Sequence, residues 1–130
     1  MQSEHLRKFK HELRTPVNHI LGYSDLLLET AAESGDADTT ELARQIRGNG
    51  RALAKLLEKN LLTASGEPDH EQIEALRAGV CPIVKHILET LTSRAPGLGP
   101  DLYAHDLGRI RRAADQLLTL VEAEGNAVSG

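Results

Sequence analysis

The sequence is poor in the residues that anchor most small cores. Its 130 residues include no tryptophan, one phenylalanine (Phe9) and two tyrosines (Tyr23 and Tyr103). Leu, Ile, Val and Ala must therefore do the packing, as they do in helical bundles. A single cysteine, Cys81, excludes an internal disulfide and fits a reducing compartment, so a cytoplasmic location is expected. No apolar run approaches the length of a membrane span, and no secretory leader precedes the first helical segment. Net charge is −4 with both signs interspersed, which argues against nucleic acid or an anionic membrane as the main partner. No glycine-rich loop opens a helix, so no cradle for nucleotide phosphates is expected. The chain opens straight into a helix and ends on the small polar tail GNAVSG, and reads as a piece of a longer protein.

What the sequence does have is apolar periodicity. Hydrophobic residues make up 40% of the chain, enough for one core in one domain. The pattern predicts four helical segments and no strand. In the first, Ser3 to Glu33, Leu6, Leu13, Ile20 and Leu27 recur every seven residues. Phe9, Pro16 and Tyr23 form a second row, and Val17, Leu21 and Leu28 flank this a/d seam. AESGDADT breaks it: Gly35 suits a helix C-terminus, and Asp38 or Thr39 suits the next N-cap. The second segment, Thr40 to about Ala64, offers Leu42, Ile46, Leu53, Leu56, Leu57 and Leu61 to a core. Its Gly48 and Gly50 cost helix propensity but allow two backbones to approach closely. SGEPD at 65 to 69 divides the chain into a hairpin at 1–66 and a second at 67–130.

The third segment, His70 to Ser93, carries Ile73, Leu76, Val80, Ile83, Ile87 and Leu91. RAPGLGPD at 94 to 101 is a second loop. The fourth, from Pro100 or Asp101 to Glu124, carries Leu107, Ile110, Ala114, Leu117 and Val121. The halves resemble one another. Shifting by 67 carries Leu6, Phe9, Leu13, Ile20 and Leu21 onto Ile73, Leu76, Val80, Ile87 and Leu88. Shifting by 64 carries Ile46, Gly50, Leu53 and Leu57 onto Ile110, Ala114, Leu117 and Val121. One hairpin leaves most of its seam bare; two close a four-helix bundle. The expected fold is thus all-α, an antiparallel four-helix bundle of two helical hairpins.

On the first helix, His11 falls at f, the outermost heptad position. Thr15 and Asn18 continue an outward polar stripe, with Glu12 and Arg14 beside it. An exposed imidazole offers a neutral ring nitrogen as nucleophile. A neighbouring carboxylate such as Glu12 could hold the proton on the other nitrogen, fixing the tautomer. Pro16 removes a backbone donor and frees the carbonyl of Glu12, so a bend or loosening is expected there. The other histidines, His5, His19, His70, His86 and His105, lack such a context. His19 and His86 fall on equivalent positions, which suggests a shared packing role, and no histidine pair forms a metal site with Cys81.

FKHELRTPVNHILGYSDLLLE, residues 9 to 29, resembles the H-box of sensor histidine kinases, F-x-H-E/D-L-R-T-P-L followed by an apolar heptad and often G-Y. The match runs through Phe9, His11, Glu12, Leu13, Arg14, Thr15, Pro16, Gly22 and Tyr23; Val17 stands where the family usually has Leu. The resemblance covers residues 3 to about 64, the hairpin of the dimerisation and histidine-phosphotransfer (HisKA-type) domain. It implies that His11 is the phosphoacceptor and that Glu12 assists transfer from ATP. It implies that Thr15 orients a water for dephosphorylating a partner receiver, and that Pro16 supplies a signalling bend. In the second half His11, Glu12 and Thr15 become Ala78, Gly79 and Pro82, and Gly79 and Pro82 should weaken or kink the third helix.

The expected function is that of a phosphorelay module. It would bind no cofactor of its own and would receive its phosphoryl group from an ATP- and Mg²⁺-binding kinase domain in cis or in trans, or from a phosphorylated receiver. It would pass the group to a receiver-domain Asp. The chain would pair with itself, either as a pseudo-dimer of its two hairpins or as a homodimer. The competing reading is a non-enzymatic helical module that transmits signals to an attached output domain.

Overall fold

The computed structural model describes residues 2–59, 70–94 and 103–129. They form four helices, and no strand occurs among them: α1 (Gln2–Glu33), α2 (Ala37–Leu57), α3 (His70–Arg94) and α4 (Ala104–Ser129). The expected end of the second helix near Ala64, the SGEPD boundary, the start of the fourth helix at Pro100 or Asp101, and all of the second loop after Arg94 lie outside the described residues. So do Leu61 and the side chains of His5, Leu6, His70 and Ile73. At the other end α4 continues to Ser129, through most of the stretch read as a polar tail. Good helix formers at Ala123, Glu124 and Ala127 carry it past Gly125.

Leu13, Ile20 and Leu27 are wholly buried, as the heptad requires. The second row departs from the expected one. Phe9 and Pro16 are buried, but the row then passes to Val17, Ser24 and Ala31, and Tyr23 is left half-buried on the flank. A straight helix turns once in 3.6 residues, so a seven-residue repeat drifts about 20° per heptad and the buried row steps sideways. Ser24 meets its own burial by donating Oγ–H to the Leu21 carbonyl at 2.9 Å.

The residues expected to bend or weaken their helices do not interrupt them. Both α1 at Pro16 and α3 at Gly79 and Pro82 run on without interruption. Pro16 lies in the buried seam, where packing outweighs one lost backbone hydrogen bond. Gly79 has a packing reason of its own: a Cβ there would stand 3.1 Å from both methyl carbons of Leu56 on α2. In the second half the buried apolar residues of the two helices are Leu76, Val80, Val84, Ile87 and Leu91 on α3 and Ile110, Ala113, Ala114, Leu117 and Val121 on α4. Val84 takes the place expected for Ile83, which is half-buried like Leu107.

The α1–α2 turn closes with a Schellman motif. Gly35 takes φ +71°, its N–H reaches the Ala32 carbonyl at 3.2 Å, and the Asp36 N–H reaches that of Ala31 at 2.9 Å. The N-cap of α2 is Asp36, not Asp38 or Thr39, and the helix starts at Ala37 rather than Thr40. The Asp36 carboxylate accepts the Thr39 N–H at 3.1 Å and the Thr39 hydroxyl at 2.7 Å, so the cap forms directly after Gly35.

Tyr103, buried just ahead of α4, has its phenol beside the same carboxylate. Thr39, through its backbone and then its hydroxyl, holds the Asp36 carboxyl below its ordinary range, and Tyr103 adds to this. Burial, then Asp36, pushes the Tyr103 phenol up. The depressed carboxyl contributes stability above about pH 4 that fades as pH falls further, and the raised phenol contributes stability below about pH 10 that fades as pH rises. Thermal unfolding followed against pH should therefore weaken at both ends. Asp36→Asn is expected to flatten the acid limb and Tyr103→Phe the alkaline one.

The helices pack in the cyclic order α1, α2, α3, α4, each against its two neighbours. Cross-helix contacts fix every neighbouring pair as antiparallel. Gly50 of α2 lies against Ile20 and Leu21, and Arg47 Nε bonds Asp25 Oδ1 at 2.8 Å. Arg94 of α3 donates to Gln45 Oε1 at 2.9 Å, and Arg111 of α4 to Thr92 Oγ1 at 3.1 Å. Tyr23 of α1 meets His105 of α4 edge-on, with Arg109 stacked 5.9 Å from its ring centre. The result is the all-α bundle of two hairpins that the periodicity predicts.

Candidate functional site

The unpacked side of α1 carries the polar stripe. His11 is exposed and follows a turn anchored by Phe9 and Leu13 in the core, so its ring stands in solvent on a fixed helix. Thr15, one turn on, is half-buried and donates its hydroxyl to the His11 carbonyl at 3.3 Å. Its oxygen lone pairs stay available to accept from a water. Glu12 is half-buried with its Oε1 3.9 Å from Lys8 Nζ, one turn back. Adjacent residues on a helix do not face each other, so the carboxylate leans along the helix toward Lys8.

Arg14 and Asn18, both exposed, turn toward α2. With Val17 and with Ala54, Leu57 and Glu58 of α2 they line an open groove of about 320 Å³ directly beside the stripe. The end of α2 widens there into a π turn at Glu58 and Lys59, and the Glu58 N–H is shared between the carbonyls of Ala54 and Lys55. Ala54 and Glu58 were not singled out by sequence reasoning. Their part in the site depends on the register in which α2 lies on α1, and no local pattern signals that.

His19, His86 and His105 play no part in this surface. His19 and His86 do not pack into the core as a matched pair: both are exposed, and His19 meets Tyr23 edge-on at 6.1 Å between ring centres. Cys81 is half-buried, and its thiol is pushed up by burial and then by the charge of Glu122, which leaves it a poor nucleophile. Among the described residues no three His, Cys, Asp or Glu side chains converge as metal ligands. No helix among them is long and apolar enough to cross a membrane.

The site therefore consists of one solvent-facing imidazole, a hydroxyl one turn away and an amphipathic groove at their side. The family model described as His Kinase A (phospho-acceptor) domain matches residues 1–69, which include all of it. Histidine kinase 3 of Arabidopsis thaliana is 27% identical over 128 residues, covering 90% of this chain and 12% of its own length. Probable histidine kinase 4 of Oryza sativa subsp. japonica is equally similar over the same shares. Sensor histidine kinase YvrG of Bacillus subtilis (strain 168) is 26% identical over 137 residues, covering 98% of this chain and 23% of its own. The chain thus spans less than a quarter of the length of these relatives. No solved structure matches.

Proposed function

Because this chain belongs to the His Kinase A (phospho-acceptor) domain family, we propose that His11 is its phosphoacceptor and that the α1–α2 hairpin hands the group to a receiver-domain aspartate. The observation that carries this reading is the exposed imidazole of His11 inside the family-matched segment, on a helix whose opposite face is locked in the core. A neutral ring nitrogen of His11 attacks phosphorus in line. The N–P bond forms as the bond from phosphorus to the leaving ADP oxygen breaks. In the second step a receiver carboxylate attacks the same phosphorus, an O–P bond forms, the N–P bond breaks and His11 returns to neutral imidazole.

ATP and Mg²⁺ would be held by an ATP-binding domain in cis or in trans, as membership of the phospho-acceptor family implies. Glu12 assists by holding the far ring nitrogen's proton once the donor is docked. Leaving Lys8 costs it little, since an exposed i,i+4 pair contributes about 0.3–0.5 kcal/mol. The receiver docks over the stripe and the groove between α1 and α2, with Arg14 and Asn18 at its edge.

The test is to supply the chain with ATP and a histidine-kinase ATP-binding domain, or with a phosphorylated receiver, and to look for phosphate that is labile in acid and stable in base. Absence of label with every donor, together with a signal-dependent dimer, would favour a purely conformational transmitter. Thr15 is proposed to orient the water that dephosphorylates the receiver. Thr15→Ala should leave His11 labelling intact and slow receiver dephosphorylation roughly tenfold, the effect of losing one hydrogen bond of about 1.4 kcal/mol.

A further inference from the structure

We infer that the α3–α4 hairpin stands in the place of a second chain, so that the bundle closes within one molecule and presents one phosphotransfer face instead of two. Which face is active rests on the proposed role of His11; the closure rests on geometry alone.

The buried positions repeat at the offsets that relate the two hairpins. Leu13, Val17 and Ile20 of α1 fall on Val80, Val84 and Ile87 of α3, 67 residues later, and all six are buried. Ile46, Gly50, Leu53 and Leu57 of α2 fall on Ile110, Ala114, Leu117 and Val121 of α4, 64 residues later, and all are buried. With each helix antiparallel to its neighbours, α1 lies diagonal to α3 and α2 diagonal to α4. This is the arrangement of two hairpins about an approximate two-fold axis.

The seams between the hairpins are not interchangeable, and the difference discriminates against self-pairing. Leu56 of α2 reaches α3 at Gly79, where a Cβ would come within 3.1 Å of its methyl carbons. The residue equivalent to Gly79 in the first hairpin is Glu12. A second copy of α1 in the place of α3 would bring a carboxylate-bearing side chain against Leu56, whereas α3 offers a glycine with no side chain to place there. Tyr103, buried just ahead of α4, lies beside Asp36 at the opposite end of the bundle, where α4 meets the α1–α2 turn.

The second face has lost the residues of the H-box. Ala78 and Pro82 replace His11 and Thr15, and Leu118 stands where Ala54 lines the groove beside them. A receiver therefore finds a single H-box histidine, with the Arg14–Ala54 groove at its side.

Light scattering on the full chain at micromolar concentration should give the mass of one 14.1 kDa chain. In a Cys81→Ser background, Gln45→Cys with Arg94→Cys should be bridged by a short bis-maleimide within a single chain. A species of twice the mass, or bridging only between chains, overturns the closure. So does a single-chain mass with no bridge, since the two hairpins would then lie apart. Neither readout involves phosphate, so failure of the His11 assignment would leave this result standing.

Discussion

His11→Gln is expected to reduce acid-labile labelling to background with every donor that labels the unaltered chain, and to leave the melting temperature where it was. The two halves of the expectation have separate physical grounds. Glutamine offers no ring nitrogen, so the N–P bond has no atom on which to form. The imidazole is exposed and contributes nothing to the core, and surface substitutions of this kind shift stability by no more than about 0.5 kcal/mol. His19, His86 and His105 are also exposed and provide the controls. Replacing any of them should leave the label in place. Label that survives His11→Gln would remove the assignment of His11 at once.

Substitutions at two glycines on α2 should act in opposite directions. At Gly50 a Cβ would lie 3.0 Å from Leu21 Cδ2 and 3.2 Å from Ile20 Cγ2. Gly50→Val adds two further carbons into that contact and should cost about 1–3 kcal/mol by overpacking the α1–α2 seam. At Gly48 nothing lies within 4 Å and the position is exposed. Gly48→Ala there should stabilise by about 0.4–1 kcal/mol, through the restricted unfolded chain and the better helix former. Chemical denaturation of the two variants measures both. A neutral Gly50→Val would mean that α2 does not lie this close to α1, and the groove at Arg14 and Ala54 would lose its geometric basis.

The sequence makes the helices and the nucleophile legible for different reasons. Leu13, Ile20 and Leu27 repeat at the spacing of a buried face, and that spacing survives in the structure because burial of apolar area outweighs local preferences. The outward position of His11 follows from the same count. The second row was misread at Tyr23 because a fixed seven-residue count ignores the drift of a 3.6-residue turn, which brings Ser24 and Ala31 inward. Bending or weakening was expected at Pro16, Gly79 and Pro82 because propensity is local; all three lie inside uninterrupted helices, Pro16 in the buried seam and Gly79 against Leu56. Asp36 and Tyr103 lie far apart in the chain, and no pattern within either segment announces that they meet. Ala54 and Glu58 were missed for the same reason: they reach the site through the register of one helix on another.

The central claim, one phosphoacceptor in a chain that holds two copies of the scaffold, is tested most directly by the intact mass of the chain after labelling to completion, with fragmentation to find the modified residue. The account predicts a single phosphoryl group per chain, on His11. A second group on α3 or α4, or a single group on any residue other than His11, would contradict it.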